Sequence, residues 1–156
     1  MSQTYTPNLH VKLMQTGNKI RILIIDDDIN FRDMLRIHLS SAGYAVQVAE
    51  DAVEGGELLL ARHPDLIICD INMPYMNGFE LLALLRSDEH AGTIPVIFLS
   101  GRSDGETMAR AVELGASDFL TKPVTRDQLL ESVESCLKKG GRDGAEARDH
   151  GTRPPA

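Results

Sequence analysis

Carboxylate, hydroxyl and ammonium side chains follow four of the short apolar runs in this sequence. Three aspartates follow the first run, one aspartate follows the third, a serine follows the fourth and a lysine comes shortly after the fifth. In order, these residues are Asp26, Asp27, Asp28, Asp70, Ser100 and Lys122. Carboxylates within ~4 Å of one another repel by on the order of 1 kcal/mol in water and by more in a partly buried site. A folded cluster of these aspartates therefore needs a compensating cation.

The residue types indicate which cation and which reaction. Oxygen ligands select a hard ion, and an octahedral Mg²⁺ that takes one or two carboxylates and keeps several waters fits best. A divalent ion beside a carboxylate, a hydroxyl and an ammonium is suited to phosphoryl transfer, because the cations neutralise phosphoryl oxygens while an aspartate acts as nucleophile. Each signal is weak alone, and Asp28 could equally be a helix N-cap. Together, the four strand ends predict phosphate chemistry on an aspartate.

Five apolar runs alternate with segments of helical periodicity from Arg21 onward. The runs predict strands at 22–25, 44–49, 66–69, 96–99 and 119–120, and the periodic segments predict helices at 30–42, 51–63, 78–86, 103–114 and 125–137. Gly55 and Gly56 weaken the second helix. The alternation predicts an α/β domain with a doubly wound five-stranded parallel sheet and helices on both faces. The polar groups then meet at the carboxyl edge of this sheet.

Residues 20–138 resemble the receiver domain of two-component response regulators. The sequence Ile-Ile-Asp-Asp-Asp at 24–28 is similar to the first-strand acidic motif of that family, and 70–78, Asp-Ile-Asn-Met-Pro-Tyr-Met-Asn-Gly, resembles its phosphorylation-site loop. Leu-Ser-Gly at 99–101 is similar to the switch hydroxyl segment, and Lys-Pro at 122–123 to the lysine–proline pair. These motifs occur in the order and at the spacing of the family. The resemblance implies the flavodoxin-like strand order 2-1-3-4-5 for the sheet.

The resemblance implies an acceptor and a metal site. Asp70 is the phosphoacceptor, which receives its phosphoryl group from a sensor histidine kinase or a histidine phosphotransfer protein. Asp26, Asp27 and Asp70 bind Mg²⁺ together with the carbonyl of Asn72. The domain is thus expected to signal, and to catalyse only its own phosphorylation and dephosphorylation.

The resemblance also implies a switch. Ser100 and Lys122 contact the phosphoryl oxygens, and Phe119 turns inward when Ser100 moves toward the phosphoryl group. The face around the fourth helix, fifth strand and fifth helix then binds an unknown downstream protein differently. Pro123 is hypothesised to follow a cis bond that aims Lys122. Ser132 stands where DNA-binding relatives that dimerise through this face have a basic residue, so we expect a monomer or a weak dimer.

Length and charge indicate the domain organisation and the classes of partner. The chain has 156 residues, which suit one domain with a loose extension at 1–19 and a disordered tail at 139–156. The net charge is −7, and both tails are net positive, so the body is more acidic than the whole and direct nucleic-acid binding is not expected. No continuous apolar run in the sequence approaches the ~18–20 residues that a membrane helix requires. Its two cysteines fit no metal motif, and we expect a cytoplasmic protein.

Two enzyme-like or cofactor-binding alternatives stay open. In a haloacid-dehalogenase-like phosphatase, Asp26 would be the nucleophile and Asp28 the general acid. A further acidic pair after Lys122 is missing, however, and Asp70 would have no role. A flavodoxin-like FMN binder is disfavoured because carboxylates stand where a phosphate loop belongs. Turnover of an aryl phosphate would indicate the phosphatase, and a yellow chromophore the flavodoxin.

Overall fold

The computed structural model describes residues 19–74, 76–101 and 105–142. Strands and helices alternate along these residues. They are β1 (Arg21–Ile25), α1 (Ile29–Ser41), β2 (Ala45–Ala49), α2 (Ala52–Ala61), β3 (Leu66–Asp70), α3 (Gly78–Arg86), β4 (Val96–Ser100), α4 (Gly105–Glu113), β5 (Asp118–Thr121) and α5 (Arg126–Arg142). The predicted extension before Lys19 and the predicted tail after Arg142 lie outside the described residues, as does Ser103, the predicted start of the fourth helix.

The five strands form one parallel sheet in the order β2-β1-β3-β4-β5. The predicted order 2-1-3-4-5 is therefore confirmed. Ile24 of β1 lies between Val48 of β2 and Ile68 of β3. The chain leaves β1 toward one side of the sheet and β3 toward the other, which opens a crevice at the carboxyl ends of these two strands.

Both faces of the sheet are covered by helices, as predicted. Ile22 and Ile24 belong to one core cluster and Leu23 and Ile25 to the other, because successive strand side chains point to opposite faces. The first cluster, completed by α1 and α5, contains Leu35, Leu39, Leu129 and Val133, and the second, completed by α2, α3 and α4, contains Leu59, Leu82 and Ala111. Burying each large aliphatic side chain contributes about 1.5–3 kcal/mol. The strand ends thus rest on a well-packed core.

Helix α1 begins at Ile29, one residue before the predicted start at Asn30. Asp28 Oδ1 accepts hydrogen bonds from the main-chain N–H groups of Asn30 at 3.0 Å and Phe31 at 3.3 Å. These donors have no partner inside the helix, so the side chain of Asp28 satisfies them. Of the two interpretations of Asp28, the N-cap is the one that is confirmed.

Helix α2 forms despite its two glycines, although it is shorter than predicted. Its N-cap is Asp51, whose Oδ1 accepts from the N–H of Glu54 at 2.9 Å. A Cβ at Gly55 would stand 2.6 Å from Ile25 Cδ1. Gly55 therefore allows the helix to pass close over β1, and this packing offsets the low helix propensity of glycine.

Helix α5 extends beyond the predicted boundary at 138, through Arg142. Its start is a reciprocal cap: the Thr125 N–H donates to Gln128 Oε1 at 3.0 Å and the Gln128 N–H donates to Thr125 Oγ1 at 3.1 Å. Cations near a helix C-terminus interact favourably with the helix dipole, and Lys138 and Lys139 stand in this part of α5. The final turn thus continues through the glycines at which sequence composition places the boundary.

Candidate functional site

The polar residues singled out in the sequence lie at one edge of the sheet. Asp26 directly follows β1, Asp70 ends β3, Ser100 ends β4 and Lys122 directly follows β5. The register holds the last two together, because the Lys122 N–H donates to the Ser100 carbonyl at 2.8 Å. Strands distant in sequence thus bring two carboxylates, a hydroxyl and an ammonium to one place.

Three aspartates at this edge form a compact cluster. Carboxylate oxygens of Asp26, Asp27 and Asp70 lie within 4.8 Å of one another. Asp26 is fully buried, Asp70 is 5% exposed and Asp27 is exposed. The cluster therefore extends from the protein interior to the surface.

Main-chain groups fix one oxygen of each buried carboxylate. The Asp28 N–H donates to Asp26 Oδ1 at 2.8 Å, and the Asn72 N–H donates to Asp70 Oδ1 at 3.2 Å. Asp26 Oδ2 is buried and has no well-formed hydrogen bond within the described ranges. Both carboxylates thereby keep Oδ2 available for a cation.

Lys122 supplies a cation at these Oδ2 atoms. Its Nζ lies 3.1 Å from Asp26 Oδ2 and 3.4 Å from Asp70 Oδ2. The ammonium also lies over the Phe31 ring, 4.5 Å from the ring centroid. The Lys122–Pro123 peptide bond is cis, as hypothesised. One ammonium thus faces two buried carboxylates and an aromatic ring.

The electrostatics of the site show an excess of negative charge. Burial, with repulsion from Asp26, raises the pKa of Asp70 to about 6, although Lys122 and the Asn72 N–H oppose this change. Burial also raises the pKa of Asp26. Burial alone would lower the pKa of Lys122, but the two carboxylates raise it above its ordinary value. One lysine does not neutralise the cluster.

These residues fit a hard divalent cation. The donors are all oxygen atoms, and Asp26 Oδ2 is a buried acceptor without a well-formed hydrogen bond among the residues described. The main chain of Asn72 lies beside Asp70, to which its N–H donates. Such a set, open to solvent on the side of Asp27, suits Mg²⁺ with retained waters.

Ser100 and Phe119 lie on one face of the sheet. Ser100 is buried at the end of β4, two residues beyond Phe98, so strand alternation directs both side chains to the face of the second core cluster. Phe119 pairs with Phe98 in register and is partly buried against the same cluster. A Cβ at Gly101 would meet no atom within 4 Å. A side chain at position 101 would therefore meet open space beyond the end of β4.

Comparison with known proteins identifies the family. Residues 22–134 match the family described as the response regulator receiver domain. The chain belongs to this receiver domain family. Receiver domains are signalling domains, not classical enzymes, and they accept phosphoryl groups from histidine kinases and bind Mg²⁺ at an acidic pocket. In this receiver domain, the aspartate cluster has the composition of such a pocket.

Several relatives support the assignment. The receiver domain is similar, at 38% identity over 122 residues, to the DNA-binding dual master transcriptional regulator RpaA of Synechocystis sp., covering 78% of this chain and 51% of RpaA. It is 39% identical over 125 residues to an uncharacterized 14.6 kDa protein of Leptolyngbya boryana, covering 80% of this chain and 95% of that protein. The chain spans about half the length of several curated relatives, including RpaA and the regulator PhoB of Pseudomonas aeruginosa.

A solved structure shows the same fold. The chemotaxis protein CheY4 of Vibrio cholerae matches with a TM-score of 0.73 at 30% identity, covering 76% of this chain and 98% of CheY4. Within the described parts of this receiver domain, no helix is both long and apolar enough to cross a membrane.

Two further residues shape the receiver site without a sequence signal for that role. A Cβ at Gly78 would stand 2.8 Å from the Asp70 carbonyl oxygen, so the start of α3 packs directly on the main chain of the site. Arg32 Nη1 donates to the Asp26 carbonyl at 2.9 Å and ties α1 to the end of β1. Both contacts join residues that tertiary packing brings together. Tyr75 and Arg102, near the site in sequence, lie outside the described residues.

Proposed function

We propose that this receiver domain accepts a phosphoryl group from a sensor histidine kinase or a histidine phosphotransfer protein onto Asp70. One observation carries the proposal: Asp70 Oδ2 and Asp26 Oδ2 both lie within 3.4 Å of Lys122 Nζ at the carboxyl edge of the sheet. A nucleophilic carboxylate, a second acid and a cation therefore surround one small space.

Asp70 is the nucleophile in this proposal. One of its carboxylate oxygens bonds to phosphorus while the bond from phosphorus to the donor's imidazole nitrogen breaks, and the electron pair leaves with that nitrogen. With a pKa of about 6, Asp70 is mainly ionised at neutral pH. Lys122 and the Ser100 hydroxyl contact the phosphoryl oxygens. Water later removes the group, and the domain catalyses these two reactions on itself alone.

Asp26, Asp27, Asp70 and the carbonyl of Asn72 would hold Mg²⁺. When bound, the ion neutralises negative charge on the phosphoryl oxygens. The Asp28 N–H keeps Asp26 Oδ1 in place, and the exposed position of Asp27 leaves one side of the site open to the donor.

Ser100 and Phe119 form the switch. A phosphoryl group on Asp70 attracts the Ser100 hydroxyl, and the space that Ser100 leaves on that face of the sheet is then open to the Phe119 ring. The surface of α4, β5 and α5 changes with it and binds an unidentified downstream protein differently. Val112 of α4, which is 70% exposed, offers an apolar contact on that surface.

We further propose that the domain acts as a monomer or weak dimer in the cytoplasm, without direct contact to nucleic acid. The acidic net charge of −7 disfavours contact with phosphate backbones. Ser132 is buried and donates to Asp118 Oδ2 at 2.6 Å, so its side chain is engaged within the domain. Cys69 and Cys136 are free, which suits a reducing compartment. DNA binding by RpaA is a property of a protein about twice as long.

A phosphatase with Asp26 as nucleophile has less support. A nucleophile must meet its substrate, and the Asp26 side chain is fully buried whereas that of Asp70 is 8% exposed. The receiver family match also covers Asp70, which that reaction would leave without a role.

The test is the intact mass of the protein after incubation with acetyl phosphate and Mg²⁺. Wild type is expected to gain one phosphoryl group and to lose it with time, and Asp70→Asn to gain none. Asp33→Asn is the matched control, since Asp33 pairs with Arg36 at the surface, and it should be labelled like wild type. Labelling of Asp70→Asn, or of Asp26 in wild type, would overturn the proposal.

A further inference from the structure

The Phe31 ring faces the ammonium that the proposed reaction uses. Lys122 Nζ lies 4.5 Å from the ring centroid, inside the ~6 Å at which a cation and an aromatic face attract each other. The Lys122 side chain is 23% exposed, so the contact is partly shielded from water. The ammonium is therefore enclosed by a ring as well as by Asp26 and Asp70.

Separate contacts hold the main chain of Phe31 and its ring. Asp28 Oδ1 accepts a hydrogen bond from the Phe31 N–H, and Arg32 ties the same helical turn to the Asp26 carbonyl. The ring is partly buried and packs against the first core cluster. None of these contacts involves Lys122, so the position of the ring does not depend on that of the ammonium.

We propose that Phe31 is a positioning residue that keeps the Lys122 ammonium at the reacting groups during phosphoryl transfer. This inference rests on the proposed function. An aromatic ring attracts a cation through its quadrupole but carries no net charge. Unlike a third carboxylate, it neither repels an incoming phosphoryl group nor adds to the negative charge of the cluster.

The ring would matter most when the partners of Lys122 change. In the resting protein, Asp26 and Asp70 hold the ammonium at 3.1 and 3.4 Å. Once Asp26 binds a metal ion and Asp70 carries a phosphoryl group, neither carboxylate holds the Lys122 ammonium as it does in the resting protein. The Phe31 contact needs neither carboxylate and persists through the exchange.

A fluorination series at position 31 tests this role. Phenylalanine analogues with one, two and three ring fluorines keep nearly the same shape while the electron density of the face falls stepwise. The initial rate of Asp70 phosphorylation by acetyl phosphate, at fixed Mg²⁺, should fall with each fluorine, by about three- to tenfold over the series. In the Lys122→Met background, the same series should leave the residual rate unchanged.

A second readout does not require phosphorylation. In the resting protein, the Lys122 Hε protons should show an upfield ring-current shift by NMR, which Phe31→Leu removes and Phe31→Tyr retains. Thermal denaturation of each variant checks that it is folded.

The possible outcomes separate the two proposals. If wild type is not labelled on Asp70, the proposed function fails, and the role of Phe31 in it fails as well. If wild type is labelled but the fluorine series has no effect, or has the same effect without Lys122, only the positioning role is overturned. Absence of the ring-current shift would likewise overturn it.

Discussion

At the scale of single residues, the surroundings of the Asp70 carboxyl group favour its protonated form. Folding raises its pKa from 3.8 to about 6, so the folded state favours the protonated form. The resulting stability is fully present below pH 3.8 and is lost as the pH rises through about 6. We expect Asp70 to lower the free energy of unfolding of the metal-free protein by about 1–3 kcal/mol between pH 3.5 and 7.5. Urea denaturation at several pH values measures this.

The Asp70→Asn variant isolates this contribution. Its stability should fall less with rising pH than that of wild type, whereas Asp33→Asn, altered at a surface ion pair, should follow wild type. An identical pH dependence in wild type and Asp70→Asn would contradict the raised pKa of Asp70.

Lys122 is the partner whose loss the cluster should tolerate least. Lys122→Met leaves the buried carboxylates of Asp26 and Asp70 without an ammonium. We expect the metal-free protein to lose about 1–3 kcal/mol of stability at pH 7.5, and less at pH 4.5, where Asp70 is largely protonated. Urea denaturation at the two pH values measures the difference. The control Lys138→Met removes an exposed lysine of α5 and should change stability little at either pH; equal losses in both variants would count against the role of the cluster.

At the scale of elements, the close approach of α3 to β3 holds the site together. An added methyl at Gly78 would meet backbone atoms of Asp70 and Ile71 at 2.8 and 3.0 Å, which cannot move as a flexible side chain can. Gly78→Ala is expected to cost about 1–3 kcal/mol and to weaken Mg²⁺ binding. Gly56→Ala, in helix α2 with no atom within 4 Å, should instead stabilise by roughly 0.5–1 kcal/mol. Urea denaturation measures the stability of both variants, and Mg²⁺ titration measures their affinity for the ion. Equal changes in stability and affinity for the two variants would refute the packing argument.

The elements were largely predictable from the sequence, and their ends were not. Apolar runs and helical periodicity depend on burial, which the residue pattern carries directly, so the number of strands follows from the pattern, whereas their order follows only from the family resemblance. The start of α1 at Ile29 depends on how Asp28 turns its side chain to the backbone, and α5 continues to Arg142 through two glycines that sequence composition places outside it. Composition alone places both boundaries only approximately.

The candidate site was predictable to the same extent. Asp26, Asp70, Ser100 and Lys122 could be placed at one edge because the ends of parallel strands meet there. The contact of Phe31 with Lys122 joins residues 91 positions apart by number, at a distance of 4.5 Å. That contact is set by side-chain directions in the packed structure, for which the sequence has no periodic signal.

At the scale of the whole molecule, an acidic chain of net charge −7 should gain stability from Mg²⁺ beyond the effect of salt. A ligand that binds the folded state stabilises it by about 2.7 kcal/mol at 100 times its Kd. We expect Mg²⁺ to raise the melting temperature more than NaCl of equal ionic strength does, and EDTA to reverse the gain. Differential scanning calorimetry measures the melting temperatures.

Two variants connect this gain to the aspartate cluster. Asp27→Ala removes a carboxylate of the cluster and should lose most of the Mg²⁺ effect. Asp127→Ala, at the exposed start of α5, should keep it. Equal responses would mean that Mg²⁺ acts through general screening of charge.

Each of the two core clusters, one on either face of the sheet, contains one cysteine whose reactivity can be followed over time. Cys136 lies in the first core cluster and Cys69 in the second, and both thiols are free and buried. The chain has no other cysteine, and a buried thiol reacts with a maleimide only when its surroundings open. The labelling rates of the two thiols, separated by peptide mapping, therefore report the opening of each side of the sheet. Phosphorylation that loosens one side alone would accelerate one of these rates and leave the other unchanged.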